Sequence, residues 1–573
     1  MIVTAELQTG GKAAAEAETA GIRARIDVRD VCFDLIKGGK RLTLLRDVSC
    51  TVLPGEIVAL MGPAGAGKTT LMETINGTLC PTSGQVLVNG LDLHRHYDAM
   101  RGHIGYVPQD DIVHRRLTVY EACYFTAKMR MEGSLAEAAL HDHVVATLAE
   151  LDIANRANTI IGGPDARVLS GGQRKRVNLA MELVSDPAIL FLDEPTSGLS
   201  SADAKGVMEV LEGLRDRGRT IIVTIHQPSR ELYEMMDMVL ILGVGGRVVY
   251  WGPVRGAYRH FKTAPNPDAL FEAFSPKAVD ERGWSEMAEA YRKTADHDEY
   301  VVARAATPLE PEERRLTPRV RRNVGIGQLL VLFERLSKLY TRDAGWLAGA
   351  LLGAPALTLL LTSQVGAINQ RHTLLFVSTL IAYFFGIFPS LEMIYGERTI
   401  FARERMVNAK IPSYVLSKVG FLAAFGMLQA FSIAAILTGY GHIDGSVPSI
   451  FLVVLSVQLA GVTMGLLFST LARSTRVALL MMLAAVIVMI IFSGFVVTLP
   501  RLRDDGTSWF LAPSAMRWGL GGLMAVVRDV PPTRLKFFGF HNESWGLDVA
   551  VNLALAALPL VITMLILKAR DKV

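Results

Sequence analysis

Hydrophobic and polar positions are distributed differently in the two halves of this 573-residue chain. Up to about residue 325 charged residues are dense and mixed in sign, and short β-rich runs alternate with helical patterns. From Trp346 onward charges nearly vanish inside long runs of Leu, Val, Ile, Ala, Phe and Met. Because a helix needs about 20 apolar residues to cross a bilayer, the pattern predicts a soluble half followed by a membrane half.

The membrane half contains apolar segments with the length of a span. Six spans are predicted, at about 346–363, 374–395, 414–437, 448–471, 477–499 and 547–567. Segment 327–343 is apolar at helical spacing with charges on its other face, which predicts an interfacial helix before the first span. Basic residues in the loops 396–413 and 472–476 place both loops, and therefore both termini, in the cytosol. The basic segment 500–546 is predicted outside, against that rule.

In the soluble half, buried strands are predicted to end in polar groups. The run at 56–61 leads into a glycine loop, the run at 188–195 ends in two carboxylates, and the run at 219–229 ends in His226. Gln109 closes a further strand-like segment. Because the carboxyl ends of parallel strands open on one crevice, these groups are predicted to converge there.

The glycine loop, residues 62–70, has the spacing of a phosphate-binding loop. Its glycines would let backbone N–H groups wrap the phosphates at the start of a helix. Lys68 would then reach the terminal phosphates, and the Thr69 hydroxyl would bind Mg²⁺. A Gly/Ala-rich turn before an ordinary helix is the alternative.

The carboxylate pair after the second run suits phosphoryl transfer. Asp193 would lie beside the magnesium, and Glu194 would polarise the attacking water. The Gln109 amide would bind the metal or its water, and His226 would contact the γ-phosphate. A helix cap or solvated turn is the alternative for the acidic pair, and a lone histidine at a strand end is more often structural.

A second glycine pair, in the sequence LSGGQ at 169–173, has no use in a phosphate loop that is already complete. The loop, Gln109, LSGGQ, the FLDEP sequence and His226, in this order, resemble the nucleotide-binding domain of an ATP-binding cassette (ABC) transporter. The sequences YVPQDD, LTVYEA and TIHQPS are similar to those of the ABCG, or White, subfamily, in a bacterial form.

The resemblance implies a multidomain fold, with an α/β P-loop ABC ATPase domain followed by an all-α, six-helix membrane domain of the ABC-2/ABCG type. The expected boundaries are a flexible leader 1–22, an ATPase domain 23–264, a linker 265–325 and a transmembrane domain 326–573.

The resemblance also implies ATP and Mg²⁺ as cofactors, and two cassettes that sandwich two ATP molecules head to tail. The expected catalytic pair is Glu194 and His226. The expected ATP-binding set is Phe33, Gly62, Pro63, Ala64, Gly65, Ala66, Gly67, Lys68, Thr69, Thr70 and Gln109. The expected metal ligands are Thr69, Gln109 and Asp193, and the signature residues facing the partner's ATP are Ser170, Gly171, Gly172 and Gln173. Phe33 would stack on adenine, with an ordinary core phenylalanine as the alternative.

Two further features come from the comparison with this family. Ser200 stands where the family usually has Asp, which bears on communication between the two sites. In the membrane half, a substrate slot is expected from Phe385, Ile487 and Ile490, with Phe495 and Val496 as a plug. Lipid-facing or packing residues are the alternative for each of them.

Function is expected to be that of an ATP-hydrolysing half-transporter in the plasma or inner membrane. It would dimerise, most simply as a homodimer although a heterodimer is possible, and export a hydrophobic or amphipathic, lipid-like substrate. Export of a lipid-linked glycan and a membrane-anchored regulatory ATPase are the alternatives. The net charge of +4, without a basic stripe among aromatics, argues against a nucleic-acid partner. The four cysteines lie in the soluble half without metal-ligand spacing, which suits a reducing compartment.

Overall fold

The computed structural model describes residues 23–131, 136–163, 168–275, 279–310, 325–364, 371–406, 409–496, 512–528 and 544–570. These residues fall into two compact units, a first unit over residues 23–310 and a second unit over residues 325–570. The predicted leader 1–22 lies outside the described residues.

The strands of the first unit form two sheets. Their bounds are β1 Ile26–Lys37, β2 Lys40–Val52, β3 Ile57–Met61, β4 Ser83–Val88, β5 Leu91–Asp92, β6 Ile104–Val107, β7 Ile189–Asp193, β8 Thr220–Thr224, β9 Met238–Gly243 and β10 Arg247–Pro253. One sheet has the order β2-β1-β4-β5 and is antiparallel. The other has the order β10-β9-β3-β8-β7-β6, and its strands are parallel except for β10.

The parallel sheet explains why its strands are continuous apolar runs. Every residue of β3 and of β8 is buried, as expected for strands covered by helices on both faces. Their carboxyl ends lie at the same edge as those of β6 and β7, because these strands are parallel neighbours. The segments that follow the strands therefore meet at this edge.

Helices of the first unit pack around these sheets. Their bounds are α1 Lys68–Ile75, α2 Tyr97–Met100, α3 Val119–Arg130, α4 Glu137–Glu150, α5 Gly171–Leu183, α6 Ser201–Asp216, α7 Arg230–Glu234, α8 Val254–His260, α9 Pro267–Ala273, α10 Glu281–Arg292, α11 Ala295–His297 and α12 Arg304–Ala306. Short 3₁₀ turns cover Arg101–His103 and Ala154–Arg156, and a π turn covers Asp298–Ala303.

The segment 265–325, predicted as a linker, is helical over much of its described length and belongs to the first unit. Trp284 of α10 is only 2% exposed, and the Tyr291 hydroxyl donates a 2.6 Å hydrogen bond to the Trp251 carbonyl of β10. Trp251 in turn donates through Nε1 to the Tyr300 carbonyl at 3.1 Å. The helical spacing of Trp284, Ala288 and Tyr291 was the signal for a packed helix, and the prediction gave it too little weight against the surrounding charges.

All the regular elements in the described part of the second unit are helices. Its helices are α13 Gly325–Thr341, α14 Ala344–Gln364, α15 Arg371–Ser390, α16 Arg398–Met406, α17 Ile411–Gly439, α18 Val447–Leu471, α19 Thr475–Ile491, α20 Ala515–Val526 and α21 Trp545–Ala569. A 3₁₀ turn covers Tyr395–Glu397.

Five of these helices are long and apolar enough to cross a membrane, and they coincide with the predicted spans one to four and six. In α15 and α18 67% of the most apolar stretch is buried, against 11% in α14 and 22% in α21, so α15 and α18 form the centre of the unit. The fifth predicted span, 477–499, corresponds to α19, which has 17 residues and is shorter than the roughly 20 that a span needs. Residues 497–511 and 529–543 lie outside the described part, and the count of six spans stays a prediction.

The loop predicted at 396–413 instead contains the packed helix α16. Phe401 of α16 stacks on Tyr414 of α17 with ring centroids 4.0 Å apart. Glu404 forms an ion pair with Arg335 of α13, the helix predicted as interfacial at 327–343. Helices α13, α16 and α17 therefore hold one another through apolar and charged contacts, which a linear count of charges does not reveal.

Candidate nucleotide-binding site

The glycine loop joins β3 to α1 in a conformation that requires glycine. Gly62, Gly65 and Gly67 have φ values of 145°, 79° and 92°, a region that other residues enter only with strain. The Lys68 ammonium donates to the carbonyl oxygens of Gly62 at 2.8 Å and Pro63 at 3.0 Å, so the loop curves around it. Ala66 is buried beneath the loop. Ala64, Gly65 and Thr69 are exposed, Thr70 is half-buried, and these residues form the outer surface of the loop and the start of α1.

Burial lowers the pKa of Lys68 below its ordinary value, although the carboxylates of Glu194 and Asp193 oppose this shift. The strands β3 and β7 both pair in parallel with β8, so the segments that follow them leave the sheet at the same edge. The structure thus brings together the loop after β3 and the acidic pair after β7, as the sequence pattern predicts.

The acidic pair is held by a residue that the sequence analysis missed. The Thr224 hydroxyl, at the end of β8, donates to Asp193 Oδ1 at 2.5 Å and accepts from the Glu194 backbone N–H at 2.8 Å. Glu194 has a φ of +46°, so its backbone turns sharply away from the strand. No local pattern in the sequence marks Thr224, because its position opposite Asp193 depends on the parallel pairing of β7 with β8.

Gln109 is also brought to the acidic pair. Its side-chain Nε2 donates to Glu194 Oε2 at 2.9 Å, and its backbone carbonyl oxygen accepts from the ammonium of Lys175 in α5. Thr69, Gln109 and Asp193 supply hydroxyl, amide and carboxylate oxygens, which are the hard ligands that Mg²⁺ prefers. The residues present therefore fit the metal, and their role as its ligands stays a prediction.

Two further predicted site residues, His226 and Phe33, lie after β8 and on β1. The His226 side chain is exposed, and its ring centroid is 6.1 Å from that of Phe271 in α9. Phe33 is half-buried on β1, opposite Leu45 of β2. Contact between His226 and a γ-phosphate stays a prediction, and so does contact between Phe33 and adenine.

The signature residues form the N-terminus of α5. The Ser170 hydroxyl accepts from the Gln173 backbone N–H at 3.2 Å, while the Gln173 side chain accepts from the Ser170 N–H at 3.1 Å. This reciprocal capping box fixes the first turn and leaves the helix N-terminus exposed. Such an N-terminus attracts anions.

Leu199 and the first turn of α6 lie close to the two signature glycines, and Gly172 has no room for a Cβ beside Asp203. A Cβ on Gly171 would lie 2.8 Å from Leu199 Cδ2, and a Cβ on Gly172 would lie 2.6 Å from Asp203 Oδ1. Asp203 is a second residue that the sequence analysis missed. Ser200, the departure from the family pattern, is the N-cap of α6 and accepts from the Asp203 N–H at 3.2 Å.

The predicted slot residues lie on different helices of the second unit. Phe385 of α15 packs at a steep angle of 75° on Phe384, with ring centroids 5.8 Å apart. On α19, Ile487 is exposed and Ile490 is half-buried. Phe495 stacks on Phe376 of α15 at 4.4 Å, and Val496 is exposed. Their role in binding a substrate stays a prediction.

Two family models match this chain. The model described as ABC transporter matches residues 45–197, and the model described as ABC-2 type transporter matches residues 327–527. The chain is an ABC half-transporter of the ABCG type, with its ATPase domain first. The predicted fold, an α/β ABC ATPase domain followed by a helical ABC-2 membrane domain, is thereby confirmed.

Curated ABC relatives agree with this assignment. The ABC transporter ATP-binding/permease protein Rv1747 of Mycobacterium tuberculosis is 30% identical over 571 residues, which are 93% of this chain and 62% of that protein. ABC transporter G family member 14 of Arabidopsis thaliana is 38% identical over 242 residues, 42% of this chain and 37% of that protein. Member 22 from the same plant is 28% identical over 515 residues, 78% of this chain and 67% of that protein. The half-transporter thus spans less than two thirds of the first two relatives.

Proposed function

We propose that this half-transporter hydrolyses ATP at sites shared between two copies and uses the energy to export a hydrophobic or amphipathic, lipid-like substrate. The observation that carries the proposal is the cluster of Lys68, Asp193, Glu194, Thr224 and Gln109 at one edge of the parallel sheet. It combines a phosphate-binding loop with a positioned carboxylate in a chain that also has five helices able to cross a membrane.

In this proposal each residue of the cluster has a defined task. The loop 62–70 binds the phosphates through its backbone N–H groups and the Lys68 ammonium. Glu194 orients the attacking water, while Thr224 fixes the backbone from which Glu194 projects. Thr69, Gln109 and Asp193 would hold Mg²⁺, which when bound supplies positive charge against the phosphates.

Sharing between two copies follows from the two helix N-termini. The N-terminus of α1 already serves the phosphate loop of its own chain, so the N-terminus of α5, with Ser170, is available to a second nucleotide. A symmetric pair of chains gives each nucleotide one phosphate loop and one signature loop. The chain would therefore be active only as a dimer.

The test of sharing combines two damaged chains in a Glu194→Gln background, which binds ATP without turning it over. Lys68→Ala removes the phosphate-loop contact, and Ser170→Arg blocks the signature contact. In a heterodimer of the two, one site carries both lesions and the other is intact. Each damaged homodimer should retain little ATP, and the isolated heterodimer should retain one ATP per pair of chains. The shared site would be contradicted if the heterodimer retained no more ATP than the two damaged homodimers. Glu194→Gln chains without further changes are the positive control.

The proposed substrate class rests on the apolar character of the second unit. Ile487 and Val496 expose large apolar side chains, and Phe385 and Ile490 add half-buried ones nearby in the same unit. Two copies of such residues across a dimer axis would form an apolar slot without fixed charge, where an ionised guest is costly to hold. We further propose that both termini lie in the cytosol and that the membrane is the plasma or inner membrane.

Phe385→Ala tests the slot in protein reconstituted in liposomes. It should abolish stimulation of the ATPase by an added lipid and the transport of that lipid, while basal ATPase and dimerisation remain. Phe431→Ala, which removes an aromatic residue that is 58% exposed on α17, is the matched control and should keep stimulation. Survival of stimulation in Phe385→Ala refutes the slot.

Comparing a free lipid with a sugar-linked lipid distinguishes lipid export from glycan export. An ATPase that neither of them stimulates or moves would instead indicate a membrane-anchored regulatory enzyme.

A further inference from the structure

Asp203, in the first turn of α6, contacts the signature loop directly. Its Oδ1 lies 3.5 Å from Ser170 Oγ, and its Oδ2 accepts a 3.0 Å hydrogen bond from Ser200 Oγ. The same carboxylate lies close to Gly172, where only a glycine leaves it room. Asp203 is thus a negative charge placed beside the helix N-terminus that is proposed to receive a phosphate.

The hydrogen bonds of Ser170 define what this carboxylate does. Ser170 Oγ accepts a hydrogen bond from the Gln173 N–H, and its own hydroxyl hydrogen is donated to Asp203 Oδ1. A hydroxyl has one donor hydrogen, and an ionised phosphate oxygen is an acceptor. A phosphate that binds Ser170 must therefore take this hydrogen from Asp203.

We propose that Asp203 is a positioning residue that holds the Ser170 hydroxyl and sets the ATP concentration at which the signature loop engages the nucleotide of the second copy. The inference rests on the proposed function, in which Ser170 faces that nucleotide. Asp203 touches neither the phosphate loop nor the acidic pair in the contacts of the described residues, and it acts through Ser170 and the first turn of α5.

Charge gives the expected size of the effect. A phosphate oxygen bonded to Ser170 Oγ at about 3 Å lies within about 6.5 Å of Asp203 Oδ1. With the dielectric constant of water, repulsion between two unit charges at that distance weakens the affinity about threefold. With the effective dielectric constant near a protein surface, the same repulsion weakens it about seventyfold. Because Asp203 is half-buried, we expect about tenfold.

The same geometry gives a physical reason for the serine at position 200. Ser200 donates its hydroxyl hydrogen to Asp203 Oδ2, so it holds the carboxylate in place. An aspartate at position 200 would face Asp203 with a second negative charge instead of a donor. The serine at position 200 is therefore compatible with an aspartate at position 203, whereas a second aspartate at position 200 is not.

The experiment uses the full chain in lipid nanodiscs in the Glu194→Gln background. The quantity measured is the ATP concentration that gives half-maximal retention of radiolabelled ATP after free nucleotide is removed. Asp203→Asn, which has the same shape without the charge, should lower this concentration about tenfold. Glu209→Gln, which removes a charge from an exposed position of the same helix, is the matched control and should leave it unchanged.

Two further variants separate charge from folding. Asp203→Glu keeps the charge and should not lower the half-maximal concentration. Asp203→Ser is short and neutral, and should lower it as Asp203→Asn does, even if Asp203→Asn folds poorly. A merely structural capping role would change the temperature of unfolding without moving the ATP dependence.

The outcomes keep the two proposals apart. Absence of retained ATP in the Glu194→Gln parent contradicts the proposed function itself. If the parent retains ATP and both neutral variants match it, the role of Asp203 is overturned, while the proposed function stands. If Asp203→Glu behaves like Asp203→Asn, the charge is not the cause and the proposal also fails.

Discussion

Replacing Thr224 by valine tests whether the hydroxyl behind the acidic pair supports hydrolysis. Valine keeps the shape of the side chain, which is only 2% exposed, but removes the hydroxyl. Asp193 then loses a 2.5 Å donor, and the Glu194 N–H loses a 2.8 Å acceptor. The phosphate loop and Lys68 make no contact with this hydroxyl among the hydrogen bonds of the described residues.

The magnitude follows from these two bonds. A hydrogen bond to a carboxylate contributes about 2 kcal/mol, and one between neutral groups contributes about 1 kcal/mol. A loss of about 1.4 kcal/mol in the transition state slows a reaction about tenfold. If between half and all of this sum of about 3 kcal/mol is lost in the transition state, kcat falls by about 10- to 150-fold, while the KM for ATP changes little.

The assay is steady-state ATPase activity of the reconstituted chain, with two companion variants. Thr220→Val is the matched control, since Thr220 is a buried threonine of the same strand whose hydroxyl donates to the Ala24 carbonyl at 2.5 Å. It should cost about 1 kcal/mol in the free energy of unfolding and leave kcat within about twofold. Thr224→Ser keeps the hydroxyl and should restore most of the rate. A Thr224→Val enzyme with normal kcat, or an equal loss in Thr220→Val, would refute the positioning role.

The remaining predictions concern stability and pH. Glu182→Gln should lower the free energy of unfolding by about 3–5 kcal/mol, measured by thermal unfolding, because it leaves the buried Arg130 guanidinium without its carboxylate at 2.7 Å. Ser200→Asp should lower the unfolding temperature, because the new carboxylate repels Asp203. The double variant Ser200→Asp with Asp203→Ser should restore this temperature. Losses that simply add in the double variant would show that residues 200 and 203 do not interact. ATP affinity should fall as the pH rises toward the ordinary lysine pKa. Burial lowers the pKa of Lys68, so its ammonium loses its proton at a lower pH than that of an exposed lysine. Titrations of ATP binding across pH check this, and Lys68→Arg should flatten the profile since arginine stays charged.

Local patterns in the sequence were enough for the features that depend on contiguous residues. Gly62, Gly65 and Gly67 were predicted as a phosphate loop, and all three take the positive φ that such a loop requires. The continuous apolar run of β7 identified a buried strand ending at Asp193. Long apolar stretches identified five helices able to cross a membrane, because hydropathy over about 20 residues needs no knowledge of neighbours.

Features that depend on packing were misjudged for the same physical reason. Segment 265–325 carries enough charge to suggest a linker, yet α10 within it buries Trp284 and Tyr291 along one face. Segment 396–413 was predicted as a cytosolic loop, whereas it contains the helix α16, in which Glu404 pairs with Arg335 of α13. In each case a neighbouring element decided the outcome.

The tertiary structure alone decided which residues stand behind the predicted site. Thr224 reaches Asp193 across 31 positions because β7 and β8 are parallel neighbours in register, and Asp203 reaches Ser170 across 33 positions because α6 packs on the start of α5. The sequence by itself determined which groups are predicted to contact nucleotide, since their spacing is set within one loop or at one strand end. It did not determine their supporting partners, because hydrogen bonds between distant residues depend on strand register and helix packing.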